Sequence, residues 1–330
     1  MADKPSRDAV IAADNLWMLA RLATVLQRAN AAGVPIIVLK GAALLGHLYE
    51  LHERPMSDVD LLISPADRER LLECLAPEVS LVQRSPVLDL LPHDLSGEFG
   101  ARFEGLPLDV HTNLMNRPWL RRVVALDERD LWERAIPVRV AGHPALRLSP
   151  EDQLLHLASH SVLHHSKWDG RAAEDVQRLI QRESIDWGRL CEIATQQRLR
   201  TPTWLLLAQP TVAPLVPDSV IRQLRPDAAG QRRIGLGARL ARTGDTAFAP
   251  MFLTDRAGDP VRAAAVALTP PPGWLRTRYP RLPGTPFRAV WHATRVVQYV
   301  LAKLFRIVAV GRRTTNDHQD HQEDGLDHAR

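Results

Sequence analysis

Cysteine is almost missing from this sequence, because its 330 residues contain only Cys74 and Cys191, with no Cys-x-x-Cys motif. Two isolated thiols exclude a disulfide-rich scaffold and a thiolate zinc site. The first residues lack the apolar core of a signal peptide, and no run of about 18 uncharged apolar residues predicts a spanning helix. We therefore expect a protein of a reducing compartment, the cytoplasm.

Acidic residues are missing from positions 260–316, which hold ten Lys or Arg. Within this stretch, residues 287–310 predict an amphipathic helix with basic residues opposite its apolar stripe. We expect the stripe to pack back on the rest of the protein, through Val290, Val297, Leu301, Leu304 and Val308. Contact with an RNA backbone or with a membrane surface is the alternative for this basic C-terminal half.

Lysine is also rare, since only four of the 42 basic residues are lysines: Lys4, Lys40, Lys167 and Lys303. Lys40 stands at the end of an apolar run, Val34 to Leu39, and directly before Gly41. The compact ammonium group of lysine suits phosphate, so this position favours a phosphate contact. The alternative is that one of the four lysines occupies the turn by chance.

A second apolar segment, Ser57 to Ile63, carries two carboxylates, Asp58 and Asp60. Alternate residues of a strand point to one face, so these side chains are expected to project together. Two adjacent carboxylates need a cation between them, and Mg²⁺ takes carboxylates together with phosphate oxygens. Because the carboxylates would repel each other without a metal, Asp60→Asn is expected to leave stability almost unchanged.

A later predicted strand, Leu106 to Thr112, adds a third carboxylate, Asp109, and places His111 on the same face. The predicted fold class is α+β, with a mixed sheet in residues 1–148. Ser149 and Pro150 then predict a helix start, and residues 149–315 are expected to be mainly helical. Residues 316–330 are acidic and rich in histidine, and are expected to be a disordered tail.

These motifs occur in the order of a known superfamily. The chain resembles the polymerase-β-like nucleotidyltransferases, and more closely the Lys-Gly turn family of largely unassigned substrate. The resemblance is carried by Leu39-Lys40-Gly41, by Arg54 through Asp60, and by Leu108-Asp109-Val110-His111. One departure is Ala42, since the superfamily usually has glycine or serine at that position.

The resemblance implies metal-dependent transfer of a nucleoside monophosphate from an NTP, with ATP the expected donor, to a hydroxyl of a small molecule, RNA or protein. Two Mg²⁺ ions are expected. The implied metal ligands and catalytic residues are Asp58, Asp60 and Asp109. The implied nucleotide-binding residues are Lys40, Gly41, Ala42, Arg54 and Ser57, although Arg54 is as suited to an ion pair with the carboxylates as to phosphate.

Two alternatives stay open. The first is a catalytically silent protein that binds a nucleotide or a partner on the same fold. The second concerns a stripe at four-residue spacing, formed by Asp152, His156, His160 and His164. Such a stripe permits a metal site, but no His-Glu-x-x-His motif supports zinc, and the favoured interpretation is that His160 or His164 lines the cleft facing the nucleotide domain.

Overall fold

The sheet holds seven strands within the part of the chain that the computed structural model describes, namely residues 5–82, 97–115, 117–242, 248–299 and 301–302. The strands are β1 (Ile37–Val38), β2 (Val59–Leu62), β3 (Val79–Leu81), β4 (Glu98–Phe103), β5 (Leu106–His111), β6 (Ile136–Val140) and β7 (His143–Arg147). Their order is β3-β4-β5-β2-β1-β7-β6. The pairs β2–β5 and β1–β7 are parallel and the other four are antiparallel, so the predicted mixed sheet is confirmed.

Helices surround this sheet and make up most of the chain after β7. They are α1 (Arg7–Ala31), α2 (Lys40–Leu44), α3 (Arg68–Leu75), α4 (Leu120–Val123), α5 (Glu128–Glu133), α6 (Pro150–Ser159), α7 (Arg171–Arg182), α8 (Trp187–Gln196), α9 (Arg200–Leu207), α10 (Asp218–Leu224), α11 (Ala228–Arg242), α12 (Asp259–Leu268) and α13 (Pro272–Arg278). A π-helical turn, His160–His164, extends α6, and 3₁₀ turns occupy Pro65–Asp67, Ala213–Leu215 and Ala249–Phe252. A last helix, α14, comprises residues 285–299 and 301–302.

Helix α1 begins as the sequence predicts, with the Ser6 hydroxyl accepting a hydrogen bond from the backbone N–H of Ala9. By length and composition alone, α1 is apolar enough to cross a membrane. One face of it is nevertheless buried in the protein core, where it packs near β7 and α3. The buried side chains on that face are Asn15, Met18, Leu22, Val25, Leu26 and Ala29.

The turn after β1 leads into a short helix. This helix is the five-residue α2, and the chain leaves helical geometry at Leu45. The left-handed backbone of the turn lies at Lys40, with φ of 44°, one residue before the glycine. Gly41 is needed for space instead, because a Cβ there would fall 2.7 Å from an Arg54 nitrogen and 2.8 Å from Met56 Cγ.

The helical region starts where the sequence predicts. Ser149 caps α6, its hydroxyl accepting from the N–H of Asp152, and Pro150 takes the first helical position. One continuous hydrophobic cluster joins residues of the sheet, such as Ile37 and Leu62, to helical residues as distant as Ala263. The division into domains at residue 149 stays a prediction, and residues 316–330 lie outside the described part of the chain.

The prediction for α14 is wrong in orientation. The stripe expected to be buried is exposed, with Val290 68% exposed and Val297 and Leu301 each 49% exposed. The buried side of the helix instead carries His292 and Val296. Leu304 and Val308 lie outside the described residues. Helical periodicity identifies which residues share a face, but not which face meets the core.

Candidate active site

A polar cleft of about 850 Å³ lies between the sheet and the helical region. Its walls come from the turn after β1, the segment before β2, the strands β2 and β5, and the π-helical turn with the loop into α7. Six residues predicted from the sequence line it together: Lys40, Arg54, Ser57, Asp58, Asp60 and Asp109. The fold therefore brings to one place residues that are up to about 70 positions apart in the chain.

The carboxylates of Asp60 and Asp109 are placed by strand register. Strands β2 and β5 run parallel, with Asp60 directly opposite Asp109. Residues opposite each other on neighbouring strands project to the same face, so both side chains open into the cleft. Asp58 lies just before β2, half-buried, and its carboxylate accepts a 3.0 Å hydrogen bond from the Ser57 hydroxyl.

Asp60 is the most constrained of the three. It is buried, and its Oδ1 accepts from Lys40 Nζ at 2.5 Å and lies 3.2 Å from His111 Nε2. Burial alone would raise the pKa of Asp60, but the His111 hydrogen bond and the positive charge of Lys40 outweigh it and lower this pKa to about 2. Asp60 is therefore ionised throughout the physiological range and already has a cationic partner.

Arg54 forms a buried, bidentate ion pair, but with a partner that the sequence did not suggest. Its Nε and Nη2 each donate at 2.9 Å to the two carboxylate oxygens of Asp175 on α7. The Tyr49 hydroxyl donates to the same carboxylate at 2.7 Å. Of the two roles open to Arg54, the structure places it in an ion pair at the cleft wall, and phosphate binding stays a prediction.

Gly41 and Ala42 occupy a different position from the other predicted nucleotide-binding residues. Both are buried within α2, beneath Lys40, and within the described part of the chain they are not among the residues that line the cleft. Ser57 is exposed at the cleft and is bonded to Asp58. Contacts of these residues with a nucleotide stay predictions.

Histidines form the wall of the cleft on its helical side. Both His160 and His164 line it, as the sequence favoured, and His165 joins them. The Nε2 atoms of His160 and His165 lie 2.9 Å apart, so one ring must donate an N–H to the other. Burial lowers the pKa of all three imidazoles, and the positive charge of Lys40 adds to this. The wall is therefore neutral at pH 7, and π-helical turns of this kind frequently occur at functional sites.

His156, one turn earlier on α6, lies fully inside the protein. Neither of its ring nitrogens has a hydrogen-bond partner, and burial together with Lys40 lowers its pKa to about 3. The first member of the same stripe, Asp152, forms a bidentate ion pair with Arg134 at 2.7 and 2.9 Å. The stripe therefore does not share one ion, because its members face different surroundings.

The carboxylates of the cleft are of the type that binds a divalent cation, but their side chains are not arranged to bind one in this structure. Asp58, Asp60 and Asp109 supply the oxygen ligands that Mg²⁺ prefers. Within the described ranges, however, no three His, Cys, Asp or Glu side chains are gathered as a ready ligand set. The ammonium group of Lys40 lies against Asp60, where a cation would have to bind.

Asp175 and Arg117 are among the site residues that escaped the sequence reasoning. Asp175 anchors Arg54 across 121 positions of the chain, and a carboxylate within a helical pattern carries no local sign of that role. Arg117 lines the cleft and donates to the backbone carbonyl of His164 at 2.8 Å. The only available signal was its position six residues after His111, at the end of the third predicted strand.

We expect the free energy of unfolding to fall as the pH drops below about 6.5, the pKa of an ordinary histidine. Between that pH and about 3, where the folded protein protonates His156, the unfolded chain binds a proton that the native state excludes. Each such histidine lowers the free energy of unfolding by up to ~1.4 kcal/mol for each unit that the pH falls. His160 and His164 act in the same direction.

Urea unfolding at several pH values between about 5 and 8 measures this slope. The matched variant is His156→Leu, which removes a buried imidazole without partners and should make the dependence shallower. Identical slopes for the variant and the wild type would contradict the assignment to His156.

A mixed sheet that presents Lys40, Asp58, Asp60 and Asp109 to one polar cleft is what the sequence led us to expect of a nucleotidyltransferase. The chain belongs to the family described as uncharacterised nucleotidyltransferases, which it matches over residues 6–211. No curated protein matches the chain.

Two solved structures resemble parts of the chain. The antibiotic-resistance factor ANT(2'')-Ia is 14% identical, with a TM-score of 0.36, over 51% of this chain and 84% of that one. An antigenic nucleotidyltransferase-like protein from Paracoccidioides brasiliensis is 17% identical, with a TM-score of 0.42, over 62% of this chain and 92% of that one.

Proposed function

We propose that this protein transfers a nucleoside monophosphate from an NTP to an acceptor hydroxyl in a metal-dependent reaction. The observation that carries the proposal is the register of β2 and β5, which sets Asp60 opposite Asp109 at the edge of a cleft that Asp58 also lines. Its volume of about 850 Å³ lies within the range of ligand pockets, about 300–1,000 Å³.

The carboxylates would hold Mg²⁺. Asp58 and Asp60 are suited to an ion at the phosphates of the NTP, and Asp109 joins them beside the entering hydroxyl. When bound, divalent cations neutralise phosphate charge and stabilise the entering and leaving oxygens. Since Asp60 is ionised at any working pH, no proton has to leave it before a cation binds.

Lys40 has a double role in this proposal. In the structure its ammonium group neutralises Asp60, which a buried carboxylate requires. If Asp60 held a cation instead, the Lys40 ammonium group would be available for a phosphate oxygen. When paired with Asp60, the Lys40 side chain is 16% exposed. In this proposal Lys40 neutralises Asp60 in the present arrangement and contributes a positive charge when the nucleotide is bound.

The other cations of the cleft are suited to polyphosphate. Arg117, Lys167 and Arg171 line it together with Lys40. The neutral histidine wall, formed by His160 and His165, faces the same space and offers a lone pair to an acceptor hydroxyl. The sequence and geometry support a hydroxyl acceptor without selecting a small molecule, RNA or a protein, and ATP is proposed as the donor on family resemblance alone.

A second function, binding without catalysis, is favoured by one observation. The described residues contain no preassembled group of three ligands, and Asp60 is already paired with Lys40. A protein of that kind would bind Mg-ATP, or a partner, without breaking the bond between its α- and β-phosphates.

The two functions are separated by one experiment on the full chain. Equilibrium binding of Mg-ATP is measured first, followed by incubation with ATP labelled at either the α- or the γ-phosphate. Total RNA, a small-molecule extract and the protein itself serve as acceptors. Label moving from the α-phosphate alone supports nucleotidyl transfer. Binding without transfer supports the silent protein, and movement of the γ-label indicates phosphoryl transfer and contradicts the proposal.

A further inference from the structure

An apolar stripe runs along the outer side of α14. It consists of residues at three- and four-residue steps, which lie on one side of a helix. The exposed members are Phe287 (67%), Val290 (68%), Trp291 (49%), Val297 (49%) and Leu301 (49%). Thr294, also exposed, interrupts the row between Trp291 and Val297. A single exposed apolar residue is ordinary, but several on one side of a helix indicate an interaction surface.

The stripe cannot turn inward, because the opposite side of the helix is anchored. The Nε2–H of His292 donates to the carbonyl of Ala267 at 2.8 Å, and its Nδ1 accepts from the Tyr279 hydroxyl at 3.0 Å. Arg288 donates to the Tyr279 carbonyl at 3.0 Å. His292 has no exposed surface. These contacts fix the rotation of the helix about its axis.

A groove next to the helix widens the apolar surface. It has a volume of about 380 Å³ and is lined by the stripe residues Phe287, Val290 and Trp291 with Thr294. Its other wall is formed by Leu282 and Pro283, which precede the helix, and by Pro286 in the first turn of the helix. Except for the hydroxyl of Thr294, these lining side chains are apolar, so the groove offers almost no hydrogen bonds to a polar ligand.

Within the described residues 260–299 and 301–302, the Asp, Glu, Lys and Arg positions are all occupied by arginine. Arg281 and Arg295 are exposed near the groove and the stripe, and Arg276 is exposed on α13. The sequence from 260 to 316 contains ten Lys or Arg and no Asp or Glu. A second copy of the chain is a poor occupant, because stripe-to-stripe contact would bring these arginines together. RNA is a less suitable occupant: Phe287 and Trp291 could stack on bases, but the aliphatic Val290, Val297 and Leu301 offer no stacking surface.

We propose that the stripe of α14 docks on the surface of an anionic lipid bilayer. The helix would lie in the plane of the interface, with Phe287 and Trp291 among the headgroups and acyl ends, where aromatic rings are favoured. Arg281 and Arg295 would face anionic headgroups, whose negative potential attracts basic segments. This docking is independent of the proposed nucleotidyl transfer, since none of its residues lines the active-site cleft.

Flotation of the full-length protein with vesicles tests the proposal. One set is phosphatidylcholine alone, and the other contains about 30 mol% phosphatidylserine. The protein should float with the anionic vesicles and not with the neutral ones. Raising the salt to about 0.5 M should weaken binding at least ~tenfold, because exposed charges are screened.

Two pairs of variants assign the binding to this surface. Val290→Ser with Val297→Ser should weaken anionic-vesicle binding by ~tenfold or more, because apolar burial is lost. The control Val10→Ser with Leu16→Ser changes two exposed aliphatic residues of α1 and should leave binding unchanged. Arg281→Glu with Arg295→Glu should also weaken it, whereas the equal charge change Arg222→Glu with Arg225→Glu, at exposed positions in and after α10, should not.

Equal binding to neutral and anionic vesicles, no binding to either, or a serine variant of α14 that floats like the wild type would overturn the proposal. The proposal would also be overturned if light scattering showed the wild type to be a dimer and the same variant a monomer, since the stripe would then join two copies. Salt-sensitive RNA binding without flotation would also overturn the proposal, and would indicate that the stripe binds a nucleic acid and not a bilayer. Circular dichroism confirms that each variant is folded before these comparisons are made.

Discussion

Replacing Asp60 by asparagine is expected to lower the rate of nucleotidyl transfer by about 10²–10³-fold, the effect of losing one group that stabilises charge in a transition state. Asp60 stands opposite Asp109 and is the one buried member of the three predicted aspartates, Asp58, Asp60 and Asp109. Label transfer from α-labelled NTP, measured with the wild type and the variant at equal folded concentration, gives the ratio.

The same substitution is also expected to destabilise the protein by about 1–3 kcal/mol, the cost of leaving a buried polar group without its partner. The sequence predicted no such loss, because it assumed repulsion between Asp58 and Asp60. The structure replaces that repulsion by two attractive contacts, from Lys40 and His111. The structure therefore predicts a loss of stability where the sequence predicted almost none.

A control separates the two effects. Asp67 is a buried carboxylate away from the cleft, paired with Arg70 at 3.0 Å. Asp67→Asn should lower the free energy of unfolding without changing transfer by the folded protein. If Asp60→Asn retained the transfer rate of the wild type, Asp60 would be a structural residue and the proposed function would lose its foundation.

Arg54→Ala is expected to produce the largest loss of stability, about 3–5 kcal/mol, because it leaves the Asp175 carboxylate charged and buried. This carboxylate is almost without solvent contact, with 4% of its side chain exposed. Urea unfolding measures the loss. The double variant with Asp175→Asn should lose less stability than the two single variants lose together, because each single substitution already removes the same interaction.

A neighbouring ion pair supplies the control. Arg178 and Glu53 also bond through two contacts, of 2.9 and 3.1 Å, and also join α7 to the segment before β2. Their side chains are 27% and 28% exposed. Solvent screens such a pair, so Arg178→Ala should cost about 1 kcal/mol or less. Equal losses at Arg54 and Arg178 would show that burial does not set the strength of these pairs.

Local patterns predicted the parts of the active site, since alternation along a strand decides which side chains share a face. On that basis, Asp58 and Asp60 were expected to act together and Asp109 to join them, and all three line one cleft. The same reasoning could not find Asp175 or Arg117. Their roles depend on which helix lies beside the cleft, and that is decided by packing between distant segments.

The sequence by itself determined which side chains share a face of a strand and that a helix starts at Ser149, because each depends on contacts within a few residues. It also predicted the mixed α+β class, although the strand pairs of that sheet join distant segments. Only the tertiary structure decided that Lys40 neutralises Asp60, that Arg54 binds Asp175, and that the stripe of α14 faces outward. A periodic pattern states which residues lie side by side. What covers them depends on the rest of the chain, as the anchoring of His292 to Ala267 shows for α14.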